Sequence, residues 1–176
     1  MKYLLGSSVL MLILGGALVF FVFQSTPPTD AKPKVTQPSG MMQSSDKVSV
    51  DATLDSSGKR IVLTLQIEDG WHVNATPASL DFLIPTTVQV RQDGKPAEMS
   101  IHYPPGRATD IVLAGKAIEV YDDGTQITVL PDPSNAQDVS VGQLDLVVTV
   151  QSCSDAGVCL APSIIETKPD TLDSSL

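Results

Sequence analysis

The sequence predicts an all-β protein, a β-sandwich preceded by one transmembrane helix and a flexible linker. Three observations predict it: a charge-free apolar run near the N-terminus, a Pro- and Ser-rich stretch after it, and alternation of apolar with polar residues through most of the remainder. A chain of 176 residues accommodates one ordinary domain with such appendages. A closed β-barrel is the alternative architecture.

The first segment, residues 1–23, is predicted to be a membrane anchor. Leu4 to Phe23 is a run of about 20 residues without charge, the length that crosses a hydrocarbon core as a helix. Lys2 carries the only charged side chain before it, which favours a cytoplasmic N-terminus and an exported remainder. A cleaved signal peptide is the alternative, although no Ala-x-Ala-like site follows the run.

The next segment, residues 24–47, is predicted to be a linker because it is rich in Pro, Ser, Thr and Gln and has no apolar period. As a flexible coil it would reach roughly 25–30 Å. The polar end of the chain, residues 168–176, is predicted to be a frayed tail. The folded domain is therefore expected at residues 48–167.

Period-two alternation identifies the strands of this domain. Ile61, Leu63, Leu65 and Ile67 share one face of a predicted strand, and further runs repeat the pattern at Val48–Leu54, Val88–Val90, Ile118–Val120, Ile127–Val129 and Leu144–Val150. Asp-Gly pairs separate several runs, and Asp123-Gly124 is predicted to close a tight hairpin. Seven to nine short strands in about 120 residues are typical of an immunoglobulin-like β-sandwich.

Composition and motifs exclude several function classes. A formal net charge of −9 leaves no basic surface to neutralise phosphates, so nucleic acid is not expected as a partner. The sequence has no Gly-rich phosphate loop, no Gly-x-Ser-x-Gly and no Cys-x-x-Cys. No cofactor and no metal are expected.

The two cysteines, Cys153 and Cys159, are the chemically informative residues. A disulfide is the default in an exported chain, and closing a loop of about seven residues stabilises by only roughly 2.4 kcal/mol. Strand parity turns Cys153 away from the core, where a partner is expected to reach it. A structural disulfide and a redox-active pair both stay open. A metal site is a minor alternative, since it would require His72 and His102, which lie at no recognised ligand spacing.

Several short motifs carry a resemblance to a known family. Trp71-His-Val-Asn-Ala75, Phe82-Leu-Ile-Pro-Thr86, Tyr103-Pro104 and Gln151-x-Cys-x-Asp-x-x-Val-Cys-Leu160 occur in order across residues 48–167. In this the chain resembles the N-terminal periplasmic domain of DsbD, the transmembrane thiol:disulfide interchange protein. The resemblance implies an immunoglobulin-like fold whose single Cys pair passes electrons.

The resemblance also implies roles for individual residues. Cys159 resembles the exchanging cysteine that forms the mixed disulfide, and Cys153 its resolving partner. The segment Asp110-Ile-Val-Leu-Ala-Gly115 resembles a cap loop over the cysteines, with Val112 and Leu113 in place of the aromatic residues of well-known members. His72 and Asn74 would lie near the cysteines as site-modulating residues, and an imidazolium there would lower a thiol pKa.

The expected function is a membrane-tethered thiol:disulfide oxidoreductase module that relays two electrons through one Cys pair. The resemblance implies thioredoxin-like proteins and a membrane electron donor acting in trans, with a periplasmic disulfide isomerase or a cytochrome c maturation thioredoxin as acceptor. The implied location is the bacterial inner membrane, single-pass, with the C-terminal domain in the periplasm. The alternative is an immunoglobulin-like interaction domain with a structural disulfide; metal delivery is a third, weaker hypothesis.

Overall fold

The structure is a computed structural model that describes residues 42–132 and 141–170. These residues form strands and two short 3₁₀-helices, Ser44–Asp46 and Val141–Gln143, with no α-helix in either range. The all-β prediction is therefore confirmed. The strands are β1 (Val48–Leu54), β2 (Ile61–Ile67), β3 (Trp71–Asn74), β4 (Thr87–Gln92), β5 (Lys95–Pro96), β6 (Met99–His102), β7 (Arg107–Leu113), β8 (Lys116–Tyr121), β9 (Gln126–Pro131), β10 (Leu144–Val150), β11 (Ser152–Ser154) and β12 (Ser163–Thr167).

The described strands form three four-stranded sheets, more strands than the seven to nine that the sequence predicts. The strand orders are β1-β2-β9-β6, β12-β10-β4-β5 and β11-β3-β8-β7. All pairings between these strands are antiparallel, so each strand can turn one face inward. Three separate sheets are not the single closed sheet of the barrel alternative.

The core is built from the alternating residues that the sequence singles out. Strand β1 pairs with β2 from Val48 opposite Ile67 to Leu54 opposite Ile61, which sets their apolar residues on one face. These side chains join one hydrophobic cluster with β4, β9 and β10, and with Val73 and Tyr121 of the third sheet. Among its fully buried members are Ile61, Leu63, Leu65, Ile127, Leu144, Leu146 and Val148.

The predicted hairpin at Asp123-Gly124 is wrong, although the turn itself exists. Gly124 has a φ of +76°, as a tight Asp-Gly turn requires, but β8 and β9 on either side belong to different sheets. The turn is held on β2 instead: Gly124 N donates to Leu65 O at 2.8 Å, and Asp123 Oδ1 accepts from Ile67 N at 2.8 Å. Contacts distant in sequence thus direct the chain into the next sheet.

The folded domain extends beyond both ends of the predicted range, residues 48–167. At the start, Gln43–Asp46 already makes hydrogen bonds to the domain, including Ser44 N to Ala161 O at 3.1 Å. At the end, Asp170 N donates to Ala52 O at 2.8 Å, so the first residues of the expected frayed tail are bound. The predicted anchor and most of the predicted linker lie outside the described residues. Within those described, no helix has the length and apolarity to span a membrane.

Candidate functional site

The two cysteines lie directly opposite each other in a short hairpin. Cys153 is in the middle of β11 and forms an antiparallel bridge with Cys159. The turn between them is closed by Gly157 N donating to Ser154 O at 2.8 Å, and by Ser154 N donating to Val158 O at 2.8 Å. Gly157 has a φ of +84°, a conformation that glycine adopts without a Cβ penalty. The local sequence therefore folds so that the two Sγ atoms meet.

The cysteines form a disulfide whose two halves differ in exposure. Their Cα atoms are 3.9 Å apart. Cys153 is 5% exposed, whereas Cys159, in the second arm of the hairpin, is exposed to solvent. A nucleophile from solvent therefore approaches Cys159 rather than Cys153.

The burial of Cys153 corrects the expectation that a partner reaches this sulfur. Cys153 does lie outside the main hydrophobic cluster, in line with its strand parity. That outward face is covered, however, because β11 belongs to the sheet of β3, β8 and β7 rather than to that of β10, and side chains from a loop, β7 and β8 lie beside Cys153. Parity gives the direction of a side chain but does not show what other strands place over it.

The cover over Cys153 encloses a small, mainly apolar cavity of about 130 Å³. Both cysteines line it, and its aliphatic lining residues come from a loop, from β7 and from β8: Leu83, Ile111, Leu113 and Ile118. The segment expected to be a cap loop is thus largely a strand, since β7 runs to Leu113 and turns into β8 at Ala114-Gly115. Leu113 lines the cavity, whereas Val112, 61% exposed, and Asp110 do not.

The cavity also brings His72 and Asn74 next to the cysteines. His72 is the cross-strand partner of Cys153 in the β3–β11 pair and is only 3% exposed. Its Nδ1 lies 3.2 Å from Oδ1 of Asp155, which belongs to the turn between the two cysteines. His72 is therefore within reach of Cys153, the sulfur that solvent does not reach.

Asn74 belongs to a polar network that sequence analysis missed. Its Nδ2 donates to Ile84 O at 3.0 Å and to Gln151 Oε1 at 3.2 Å, and the same oxygen accepts from Ile84 N at 3.2 Å. Gln151 Nε2 in turn donates to Leu160 O at 3.4 Å. Gln151 precedes β11 in a motif that carries the resemblance, but only the contacts show that it links the covering loop to the Cys159 strand.

Not all of the residues predicted for the site lie near the cysteines. His102 lies on β6 in a different sheet from His72, and the described residues contain no cluster of three or more His, Cys, Asp or Glu side chains suited to a metal. Asp110 lines a neighbouring, more polar depression of about 240 Å³ together with His72, Arg107 and Asp155. The site is therefore a disulfide beside one imidazole, with charged side chains lining the neighbouring depression.

An ion pair lies at the edge of this site. Arg107 Nη2 donates to Asp122 Oδ1 at 2.7 Å, and Nε bonds the other oxygen. This hydrogen-bonded guanidinium lowers the pKa of the Asp122 carboxyl below its ordinary value of 3.8, against a smaller opposing effect of burial. The two side chains are 55% and 45% exposed, so solvent weakens the pair.

Comparison with known proteins decides the family. The family model described as "Thiol:disulfide interchange protein DsbD, N-terminal" matches residues 39–170, which is well over half of the 176-residue chain. The chain belongs to this family. The resemblance drawn from its motifs is thereby confirmed, and the matched range begins before Val48, as do the contacts of Gln43–Asp46. No match was found among curated proteins.

Solved structures of similar chains include two N-terminal domains. The reduced DsbD N-terminal domain of Neisseria meningitidis is 17% identical, with a TM-score of 0.49 over 72% of this chain and 87% of the other. The N-terminal periplasmic domain of ScsB from Proteus mirabilis is 24% identical, with a TM-score of 0.47 over 73% of this chain and 50% of the other. Membership of the DsbD N-terminal family and the bonded Cys pair point to thiol:disulfide exchange.

The ion pair between Arg107 and Asp122 predicts that part of the stability of this domain depends on pH. Because the folded pKa of Asp122 is lowered, the pair stabilises the fold above about pH 4, and this stabilisation is lost as the pH falls through the folded pKa. Asp122→Asn should lower the free energy of unfolding by less than about 1 kcal/mol at pH 7, with the difference from wild type shrinking below pH 4. Urea unfolding followed by Trp71 fluorescence measures this.

The matched control is Asp69→Asn, which changes an exposed carboxylate for which the described residues provide no ion pair. It should leave the free energy of unfolding unchanged across the same pH range. If Asp122→Asn shows a difference that stays constant down to pH 2, the pair does not contribute through the charge of Asp122.

Proposed function

We propose that this chain is a membrane-tethered periplasmic module, with an immunoglobulin-like domain, that relays two electrons through Cys153 and Cys159. The observation that carries the proposal is the asymmetry of the disulfide, with Cys159 exposed and Cys153 buried beside His72. An N-terminal anchor in the inner membrane and a donor acting in trans, thioredoxin-like or in the membrane, complete the proposal. The acceptor is a periplasmic disulfide isomerase or a cytochrome c maturation thioredoxin.

Reduction of the chain begins with a thiolate of the donor. It attacks Cys159 Sγ, the Cys153–Cys159 bond breaks, and Cys153 leaves with the electron pair as a thiolate that takes up a proton. The second thiolate of the donor then attacks the donor's own sulfur in the mixed disulfide and releases Cys159. The donor dithiol becomes a disulfide, and the chain has gained two electrons.

Delivery to the acceptor uses the same two sulfurs. The Cys159 thiolate attacks the acceptor disulfide and forms a mixed disulfide, and one acceptor sulfur leaves as a thiolate. Cys153, after losing its proton, attacks Cys159 Sγ and re-forms the internal disulfide. The acceptor leaves as a dithiol. Cys159 is thus the sulfur that meets partners, and Cys153 is the one that resolves.

The other site residues act on Cys153 in this proposal. His72 faces Cys153 across the strand pair and is proposed to exchange the proton of the departing and returning thiolate. Asn74 holds the loop that includes Leu83 through its bond to Ile84 O. Leu113 and its aliphatic neighbours are proposed to shield the cavity from small thiols. Val112 and Asp110 are proposed as the outer part of this cap.

Single-cysteine variants test the assignment of the sulfurs. Cys153→Ser should form a mixed disulfide with a single-cysteine thioredoxin activated by thionitrobenzoate, because Cys159 is exposed. Cys159→Ser should react at least about tenfold more slowly, because Cys153 is buried. Non-reducing gels measure both rates.

The wild-type disulfide should also show a reduction potential above about −300 mV. A lower potential, with no captured thioredoxin, would instead support the interaction domain with a structural disulfide.

Two neighbouring aliphatic residues test the shield. In a Cys159→Ser background, Leu113→Ala should raise the rate at which iodoacetamide alkylates Cys153 by about threefold or more, because it removes a wall of the cavity. Val112→Ala is the matched control, since Val112 is next in sequence but does not line the cavity. Equal rates in the two variants would exclude the proposed shield.

The two histidines of the chain test the role of the imidazole. His72→Gln should slow exchange with thioredoxin by about tenfold and change the pH profile of the exchange rate, because it removes the group proposed to exchange a proton with Cys153. His102→Gln is the control, because His102 is exposed and on another sheet. A slower rate in His72→Gln with the wild-type pH profile would mean that His72 only packs against the site.

A further inference from the structure

We propose that Ser44, from the segment that the sequence places in the linker, is a positioning residue for the disulfide. Its side chain joins the two arms of the hairpin that carries the cysteines, through bonds to Ser152 N and Ala161 O. The inference rests on the proposed function, since it concerns how readily the Cys153–Cys159 bond opens and closes. The end of the predicted linker, where it joins the domain, would then be part of the redox site.

The hydroxyl of Ser44 bridges the hairpin. Ser44 Oγ accepts a hydrogen bond from Ser152 N at 2.8 Å and donates one to Ala161 O at 2.8 Å. Ser44 N also donates to Ala161 O at 3.1 Å, and Ser152 Oγ donates to Ser44 O at 3.2 Å. Ser44 and Ser152 are both 0% exposed, so water cannot readily replace these bonds.

The hydrogen bonds of Ser44 lie close enough to both cysteines to influence the distance between their sulfurs. Ser152 immediately precedes Cys153, and Ala161 follows Cys159 by two residues. The Ser154–Gly157 turn closes the hairpin at one end. At the other end, where β10 and β12 continue into a different sheet, Leu160 N donates to Ser152 O at 2.8 Å and the Ser44 hydroxyl adds a second connection. The disulfide lies between these two constraints. When the bond is reduced, they are expected to keep the thiols next to each other.

Separate contacts fix the segment that carries Ser44. Gln43 N donates to Asp46 Oδ2 at 2.8 Å within the 3₁₀-helix, and Ser45 N donates to Ser163 Oγ at 3.0 Å on β12. Removing the Ser44 hydroxyl therefore leaves the segment attached at other points. Removing the Ser163 hydroxyl loosens the same segment without touching either strand beside the cysteines.

A constraint of this kind favours the disulfide over the dithiol. The equilibrium constant for closing the bond rises with the effective concentration of one thiol near the other. Ser44→Ala leaves Ser152 N without its acceptor and removes the hydroxyl bond to Ala161 O, which keeps only the bond from Ser44 N. The two arms of the hairpin are then expected to separate more readily in the reduced form. We expect the equilibrium constant to fall about tenfold, which moves the reduction potential about 30 mV in the less negative direction.

The experiment compares wild type, Ser44→Ala and Ser163→Ala in the full chain, equilibrated with dithiothreitol redox buffers. Ser44→Ala should shift the equilibrium about tenfold towards the dithiol, and Ser163→Ala should leave it within about twofold of wild type. Urea unfolding of each oxidised variant is measured alongside. If Ser44→Ala lowers the stability but leaves the redox equilibrium at the wild-type value, Ser44 is only a structural contact and the inference is overturned.

A second variant covers the case in which Ser44→Ala does not fold. Ser152→Ala removes only the 3.2 Å bond to Ser44 O and keeps the bridge, so it should shift the equilibrium two- to threefold in the same direction; no shift would overturn the inference. Dithiothreitol needs no protein partner. Failure to capture thioredoxin would therefore contradict the proposed relay. The positioning role of Ser44 would still be tested by the equilibrium with dithiothreitol.

Discussion

The site depends on the pairing of β11 with two neighbours at once. On one side β11 pairs with β3, which places His72 opposite Cys153; on the other side Cys153 is paired with Cys159. A three-residue strand can be held this way only because its backbone groups are bonded on both sides, including Leu160 N to Ser152 O at 2.8 Å. This pairing gives Cys153 a polar neighbour, while side chains from a loop, β7 and β8 cover that sulfur and leave Cys159 exposed.

For thiol:disulfide exchange, the difference in solvent exposure between the two sulfurs is more informative than the presence of a disulfide. Exchange requires an attacking thiolate to reach one sulfur, and the other to leave and return without being intercepted. The exposed Cys159 and the covered Cys153 meet these two requirements separately. The cover belongs to a small group of aliphatic residues outside the main hydrophobic cluster. Displacing this cover therefore leaves the main hydrophobic cluster intact, so the surroundings of the disulfide can move within a stable domain.

Local patterns predicted part of this arrangement and missed the rest for a physical reason. The period-two runs at Ile61–Ile67 and Leu144–Val150 correctly marked core strands, because side-chain alternation is a property of the strand itself. The Asp123-Gly124 turn was also real, but its strands enter different sheets because Leu65 and Ile67 bind the turn. The accessibility of Cys153, and the roles of Gln151 and Ser44, depend on segments far away in the sequence.

The sequence alone determined an all-β domain, its membership of a thiol:disulfide interchange family and the two cysteines as its chemistry, because strand alternation and short motifs are properties of adjacent residues. Only the tertiary structure decided which sulfur faces solvent, what covers the other one and which residue closes the open end of the hairpin. These features depend on contacts among β3, β7, β11 and the Ser44 segment. Such contacts join residues as distant in sequence as Ser44 and Ser152, so local sequence patterns do not reveal them.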